Sequence, residues 1–349
     1  MRPVVLVDSA VLDGSARAFP LEWLSGCDVR PYAPRALLQC DRSHAEVAQA
    51  VLVRSMSRVG EAELAALPAL SAVATLSSGT DHLDESALRA AGVRLYTGHG
   101  GNARAVADWV QWALDRLGPP GPLTVLVVGV GAVGGLVADR LLAAGHRVLP
   151  CDPPLADAPQ TAFARPWVTL AQGVAHNPDV VTMHVPLTKG GAHPTYGLLD
   201  TQHLDGWARP GCLLLNAARG GILDEASAAE LVRTGRLRLA LDTFAGEPRP
   251  NAGTLAACAL ATPHIAGHSI EGKLDVARRA VAALLAHVRL PEPPPLARTV
   301  ADALARLAGA DLVADSALDR CATQFARAPG EFERLRHGHL RRERLPLPE

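Results

Sequence analysis

Short apolar runs recur along the first hundred residues, at Val4 to Val7, Ala50 to Val53, Ala72 to Leu76 and Val93 to Tyr96, separated by alanine- and leucine-rich stretches of helical spacing. Such alternation predicts βαβ units and a parallel sheet. The stretch Asn102 to Leu117 reads as a helix that Gly118-Pro-Pro-Gly-Pro122 stops. A second series follows, with strands expected at Thr124 to Val128, Arg147 to Cys151, Val180 to His184, Cys212 to Asn216, Leu237 to Leu241 and Ala259 to Thr262. Asp224 is placed to cap a helix over Glu225 to Arg233, and Gly235 stands where a C-terminal glycine belongs. Glu271 to His287 predicts one more long helix. Helices thus flank the second series at both ends and can cross back to the first domain, which makes that domain discontinuous in sequence. The expected boundaries are 1–102 with 269–290 for the first domain, 103–268 for the second, and 291–349 for a C-terminal portion that begins at the linker Pro291 to Pro295.

A length of 349 residues suits two or three domains. Lys+Arg at 34 nearly cancel Asp+Glu at 35, so no global field recruits nucleic acid or an anionic membrane. The basic stretch Arg334 to Arg344 is interleaved with Glu343 and preceded by Glu331 and Glu333, and reads as a solvated helix face rather than a nucleic-acid patch. The C-terminal portion is too small for a core without a partner surface and reads as an association element. The apolar run at the start is too short for a signal peptide and reads as a buried strand; no apolar stretch is long enough to cross a bilayer. Six cysteines without a Cys-x-x-Cys pair argue against zinc sites and disulfide scaffolds. No metal is expected, and a reducing cytoplasm is the natural setting.

Three polar side chains follow apolar strands in a pattern that suits oxidation of a 2-hydroxy acid: Arg219, Glu247 and His264. The hydroxyl proton requires a base, and histidine is the side chain whose free pKa already lies near neutrality. A neighbouring carboxylate, Glu247, would orient the ring and raise its proton affinity. Arg219 offers a permanently charged planar fork for a substrate carboxylate. Each has a plainer reading, since buried Arg-Glu pairs are often structural and a histidine after Thr-Pro can simply finish a turn. Sharing the carboxyl edge of one parallel sheet, where ligands of open α/β sheets bind, favours the chemical reading.

Gly129-Val-Gly-Ala-Val-Gly134 directly follows the Thr124 to Val128 strand and opens a helix. In that context Gly129 makes the tight turn, Gly131 lets the backbone approach a pyrophosphate, and Gly134 permits close helix-strand packing. Helix N-terminal amides would face the phosphates. Asp152 ends the next strand, where a carboxylate bonds ribose hydroxyls; the prolines after it supply no cation for a 2′-phosphate, so NAD is expected. Asp242 could accept a hydrogen bond from the nicotinamide carboxamide or could cap the Phe244 to Glu247 turn. The plainer readings of the glycine motif are a Rossmann domain for another adenine-bearing ligand and a glycine turn in an ordinary α/β domain.

Gly129 to Gly134, Asp152, Asn216-Ala-Ala-Arg-Gly220, Leu241-Asp-Thr-Phe-Ala-Gly-Glu-Pro248 and Pro263-His-Ile-Ala-Gly267 together resemble the signature blocks of NAD-dependent D-2-hydroxyacid dehydrogenases. Val53 to Val59, Thr75 to Asp84, Cys151 to Pro154 and His264 to Lys273 are similar to the branch that oxidises 4-phosphoerythronate. Pro329 to Arg336 and Arg341-Arg-Glu343 resemble that branch's own C-terminal domain. The resemblance implies an α/β fold of two Rossmann-like or flavodoxin-like parallel-sheet domains with an interdomain cleft, plus a small, here shortened, C-terminal dimerisation domain. It implies NAD as cofactor, a phosphorylated 2-hydroxy acid as substrate and a homodimer, with no nucleic-acid or membrane partner. It implies Arg219 as the catalytic arginine, Glu247 as the histidine's partner and His264 as acid/base. Asp152, Asp242 and Gly267 fall on cofactor positions, and Ser55 and Thr75 on substrate positions. Arg54, beside Ser55, could neutralise a phosphate or brace the strand end. Three departures stand out: Val185 replaces a threonine near the cofactor, His268 replaces a tyrosine near substrate and nicotinamide, and His99-Gly100-Gly101 replaces a Pro-Gly-Cys loop. The competing expectations are another D-2-hydroxyacid dehydrogenase, such as one acting on phosphoglycerate, and a non-catalytic NAD(H)-responsive binding protein.

Overall fold

A computed structural model describes residues 2–12, 19–158, 166–306, 312–339 and 341–344; the end of the C-terminal portion drawn from the sequence, 345–349, lies outside the described residues. The described residues fall into two compact units, one within Met1–Asn102 and Ser269–Ala310, the other within Ala103–His268 and Asp311–Arg344.

The first unit holds β1 (Val4–Asp8), β2 (Asp28–Tyr32), β3 (Ala50–Val53), β4 (Ala72–Thr75) and β5 (Arg94–Thr97), all parallel, in the order β2-β1-β3-β4-β5. Successive strand residues face opposite sides of a sheet. Val5, Val7, Leu52 and Ala74 accordingly pack on one face with Ala280, Val281 and Leu284 of the Ile270–His287 helix. Leu6, Val51, Val53 and Val73 fill the other face. With both faces covered, the strands read as continuous apolar runs, which is why four of them are legible in the sequence. β2 is the exception. Its sequence Asp28-Val-Arg-Pro-Tyr32 has no apolar run, and it pairs only with β1. At a sheet edge Pro31 breaks no ladder, and Asp28 can pair with Arg30 at 2.9 Å in water.

The second unit holds β6 (Thr124–Val128), β7 (Arg147–Cys151), β8 (Val180–Met183), β9 (Leu213–Asn216), β10 (Arg238–Leu241) and β11 (Leu260–Ala261), again all parallel, in the order β11-β10-β9-β8-β6-β7. The chain leaves β6 to one side for β7 and returns on the other side at β8. That reversal opens a crevice at the carboxyl ends of β6 and β8, the place where open α/β sheets bind ligands. The Ala103–Leu117 helix buries Trp109 and Trp112 completely, and the Trp109 indole N–H donates to the Thr262 hydroxyl at 2.9 Å.

The C-terminal portion is divided: the Leu296–Arg306 helix belongs to the first unit, and residues 312–344, apart from 340, belong to the second. Its helices Ala314–Arg327 and Phe332–Gly338 place Leu318, Phe325, Phe332 and Leu335 in the same core as the strands. Phe325 meets Phe244 and Phe332 edge-on, with ring centroids 6.1 and 5.7 Å apart. The expectation of a solvated basic face over Arg334 to Arg344 holds for Arg334 and His337, which are exposed and pair with Glu331 and Glu333. It does not hold further on. Arg341 is 0% exposed, Glu343 is buried against Arg104 at 2.7 Å, and Arg344 pairs with Asp115 and Asp315, each at 2.8 Å. Among the described residues no helix is long and apolar enough to cross a membrane.

Because Phe325 is fully buried between two aromatic rings, Phe325→Ala should cost about 3–5 kcal/mol. A urea titration should show a lower midpoint for the second unit's transition; an unchanged midpoint would mean that the C-terminal helices do not share that unit's core.

Candidate active site

The glycine loop sits at the mouth of the crevice. Gly129 takes φ +84°, its N–H donates to Cys151 O at 2.8 Å, and a Cβ there would lie 2.7 Å from the His184 carbonyl carbon and 2.8 Å from Val185 Cγ1. A Cβ on Gly134 would lie 1.8 Å from Gly129 O, so any side chain would drive the Ala132–Ala143 helix off the loop. A Cβ on Gly131 would meet nothing within 4 Å beyond its own chain neighbours. Two glycines are thus enforced by close packing, and the middle one faces open space at a helix N-terminus, which fits a pyrophosphate. Asp152 holds this arrangement from β7. One carboxylate oxygen accepts the Val130 N–H at 2.8 Å, and the other accepts Leu155 N–H at 3.1 Å, capping the following turn. The Val185 Cγ1 methyl packs on the loop at Gly129.

Across the sheet, the loops after β9, β10 and β11 carry the ionisable set. His264 has φ +55°, a left-handed conformation uncommon for a residue with a side chain. It is held there by its own N–H, which donates to Asp242 O at 2.7 Å and Thr262 O at 3.0 Å. The Asp242 carboxylate, 0% exposed, accepts the Thr262 hydroxyl at 2.6 Å, Ile265 N–H at 2.7 Å and Ala266 N–H at 2.8 Å. Burial pushes its pKa up, against the pull of His264 and these donors. The structure therefore places Asp242 beneath the histidine loop, as the anchor of its backbone.

The His264 ring meets Glu247 with Nδ1 and Oε2 2.8 Å apart, both side chains about one quarter exposed or less. The other Glu247 oxygen accepts Phe244 N–H at 2.8 Å, which fixes the carboxylate in its turn. Burial acts to raise the Glu247 pKa, but the His264 hydrogen bond and charge, the Phe244 N–H and the nearby Arg336 outweigh it and leave the group lowered. Arg336 comes from the Phe332–Gly338 helix, and sequence reasoning gave no sign of it at this position. His268, one turn beyond His264, places Nδ1 3.3 Å from the Arg336 carbonyl, and Gly267 lies between the two histidines.

Arg219 follows β9 in a loop closed by Asn216, whose side-chain amide donates to Arg219 O at 2.9 Å and accepts Ala218 N–H at 3.0 Å. The guanidinium donates to Ala218 O at 2.8 Å. A Cβ on Gly220 would lie 2.0 Å from Phe244 O, so the arginine loop and the Glu247 turn are packed backbone against backbone. A further carboxyl stands behind that turn. Glu225, 8% exposed, accepts Ala245 N–H at 2.5 Å, and burial, reinforced by the charge of Glu247, raises its pKa to about 7. The sequence shows Glu225 only as the first residue of a capped helix.

In the first unit, Ser55 lies exposed in the turn after β3, beside Arg54, and Arg54 O accepts Ser57 N–H at 3.0 Å. Thr75, at the end of β4, is 0% exposed. Ser77 Oγ lies 2.6 Å and His82 Nε2 3.1 Å from its hydroxyl, which also accepts Ser77 N–H at 3.2 Å. Since the Ser77 hydroxyl donates to Gly79 O at 3.1 Å, the Thr75 proton goes to Ser77, and His82 donates from Nε2. The Thr75 hydroxyl is therefore saturated by the loop that it shapes.

Residues 108–266 match the family described as D-isomer specific 2-hydroxyacid dehydrogenase, NAD binding domain. The erythronate-4-phosphate dehydrogenase of Aeromonas hydrophila subsp. hydrophila is 40% identical over 253 residues, covering 70% of this chain and 65% of that protein. That of Enterobacter sp. (strain 638) is 36% identical over 319 residues, covering 84% of this chain and 82% of its own length. The match thus spans just under two thirds of the Aeromonas relative, and 62% of the Pseudomonas aeruginosa PAO1 one. Among solved structures, the TT0316 protein from Thermus thermophilus aligns with TM-score 0.65 and 28% identity over 83% of this chain and 98% of that one. The D-lactate dehydrogenase from Aquifex aeolicus complexed with NAD and lactic acid aligns with TM-score 0.61 and 19% identity, over 82% and 95% of the two chains, and shares the fold. The chain belongs to the erythronate-4-phosphate dehydrogenases, within the D-isomer specific 2-hydroxyacid dehydrogenases.

Proposed function

We propose that this protein oxidises 4-phospho-D-erythronate to 2-oxo-3-hydroxy-4-phosphobutanoate with NAD⁺, a step towards pyridoxal 5′-phosphate. The observation that carries the reading is the 2.8 Å pairing of His264 with Glu247 on loops at the carboxyl ends of β10 and β11. With its pKa held low, Glu247 stays ionised and accepts the hydrogen bond of Nδ1–H, which leaves the Nε2 lone pair as the base. His264 then removes the proton of the C2 hydroxyl, and Glu247 stabilises the imidazolium that forms. Bound NAD⁺, seated at Gly129, Gly131, Gly134 and Asp152, supplies the hydride acceptor. Arg219 grips the substrate carboxylate through parallel N–H bonds, which a lysine cannot reproduce. Asp242 and Gly267 act through the loop that presents His264, and Val185 and His268 border the cofactor. On the first unit, Ser55 is the proposed substrate contact and Thr75 the group that shapes its neighbouring loop. Self-association as a homodimer belongs to the same proposal, on the resemblance of the C-terminal segment.

Purified protein given 4-phospho-D-erythronate and NAD⁺ should generate NADH absorbance and a 2-oxo acid identifiable by mass spectrometry; no reaction with this acid, alongside turnover of phosphoglycerate, would refute the substrate. His264→Ala should lower turnover by about 10²- to 10⁴-fold while NADH still quenches or shifts protein fluorescence as in the wild type. Wild-type rates in that variant would remove the histidine from the chemistry. Arg219→Lys keeps the charge but loses the fork, and should reduce kcat/KM by roughly tenfold to a hundredfold; an unchanged ratio would assign carboxylate binding elsewhere.

Stability should report on Glu225. Its folded pKa of about 7 exceeds the 4.5 of a free glutamate, so the folded state holds a proton that the unfolded chain releases between those values. Stability is therefore lost as pH rises through this window, and the deficit stays constant above it. Glu225→Gln, which cannot ionise, should be more stable than wild type by roughly 3 kcal/mol above pH 7, with the difference closing below about pH 4.5. An equal difference at pH 5 and pH 8 would mean that the carboxyl is not proton-loaded by folding.

A further inference from the structure

We infer that Arg341, in the C-terminal segment, is a positioning residue for His264, gripping the loop that presents the imidazole from the side opposite Asp242. The inference rests on the function proposed above and adds a residue that takes no part in the chemistry itself.

The geometry is a closed ring of interactions. Ala266 N–H donates to Asp242 Oδ2 at 2.8 Å, and Ala266 O accepts from Arg341 Nη2 at 2.7 Å, so one residue of the catalytic loop is held through both its backbone groups. The same Nη2 donates to Ala105 O at 2.8 Å, in the first turn of the Ala103–Leu117 helix. One turn further along that helix, the Trp109 indole donates to Thr262 Oγ1, and Thr262 Oγ1 donates to Asp242 at 2.6 Å. His264 lies in the chain between the two tethered residues, Thr262 and Ala266, and its own N–H donates to Asp242 O. A second contact from the same segment reaches the loop two residues later, where His268 Nδ1 lies 3.3 Å from Arg336 O.

Burial of the guanidinium separates this arrangement from ordinary anchoring. Arg341 is 0% exposed, and the equally buried Asp108, whose closer ion pair is with Arg140 at 2.8 Å, lies 3.8 Å from Nη1. A fully buried cation is costly unless paired and hydrogen-bonded, and is a poor way to fasten a segment to a surface. Arg344 performs that fastening in partly open water through Asp115 and Asp315. Arg341 instead brings donors to three backbone carbonyls, Nη2 to Ala105 O and Ala266 O and Nη1 to Arg342 O at 3.4 Å, a spread of directions that a rigid planar guanidinium fixes better than a flexible, strongly hydrated ammonium.

Misplacement of an acid/base group by about 1 Å can cost a hundredfold in rate. Arg341→Lys should therefore lower kcat by about tenfold to a hundredfold, with KM and the NADH dissociation constant within about threefold of wild type. Arg344→Gln, which strips ion pairs from the same segment without touching residues 262–268, should keep kcat within about threefold. Near-wild-type kcat in folded Arg341→Lys, or an equal loss in both variants, would overturn the inference; a wild-type protein inert towards 4-phosphoerythronate would instead sink the proposed function. Should Arg341→Lys not fold, native-state hydrogen exchange on the unaltered protein decides. Amides of residues 262–268 should lose protection in dilute urea together with those of 341–344, and a loop that stays protected after the segment has opened excludes the role.

Discussion

Asp242 is a carboxylate with no access to water, placed below the loop that carries His264. Removing such a group from solvent costs several kcal/mol unless donors replace the water it loses, and here the Thr262 hydroxyl and two successive loop amides do so. The same aspartate's carbonyl receives His264 N–H. Both polar ends of a single residue therefore dictate the path of the backbone through residues 262–266. Only a constraint of this kind keeps a histidine at a positive φ, a conformation that costs of order 1–3 kcal/mol when unsupported. Every other feature of the ionisable set is hung from this point: the imidazole faces Glu247 because its backbone has no alternative, and Glu247 faces the imidazole because Phe244 N–H fixes its other oxygen.

Three neighbouring carboxyl groups, two after β10 and one at the start of the Glu225–Arg233 helix, acquire different characters from their surroundings. Asp242 is surrounded by donors but shut off from solvent, Glu247 is tuned downward by a histidine and by Arg336, and Glu225 is pushed up towards neutrality behind them. Divergent environments for like groups are how one site keeps a permanent anion and a proton-loaded acid side by side. The tight contact of Gly220 with Phe244 transmits these positions to the arginine loop, since neither backbone can shift without the other.

Much of this was legible in the amino-acid order. Continuous apolar runs mark strands buried on both faces, and ten strands lie within one residue of where those runs begin and end. β2 escaped because an edge strand is free to carry Pro31 and charged neighbours, so its sequence resembles a loop. Arg219, Glu247 and His264 could be picked out because each follows a strand. The roles of Asp242 and Thr75 could not be resolved, because an aspartate that binds a ligand and one that binds its own backbone occupy the same place in a sequence. Glu225, Arg336 and Arg341 left still less trace. Their significance comes from contacts between residues far apart in the chain, such as Arg341 with Ala105, and charge patterning describes only neighbours.

The manner in which the chain is shared between the two units bears on its birth. Sheet β1 to β5 lacks the cover of one face until the Ile270–His287 helix has been made, and the core behind β6 to β11 lacks Phe325 and Arg341 until synthesis has passed residue 341. Ribosomal elongation runs at about 5–20 residues per second, and domains ordinarily fold one after another as they emerge. Here residues 4–97 precede their covering helix, and the whole of the second sheet is produced in the interval. Nascent chains of this protein should therefore depend on holding chaperones for an interval set by translation speed, and codon usage across residues 103–268 becomes a determinant of yield.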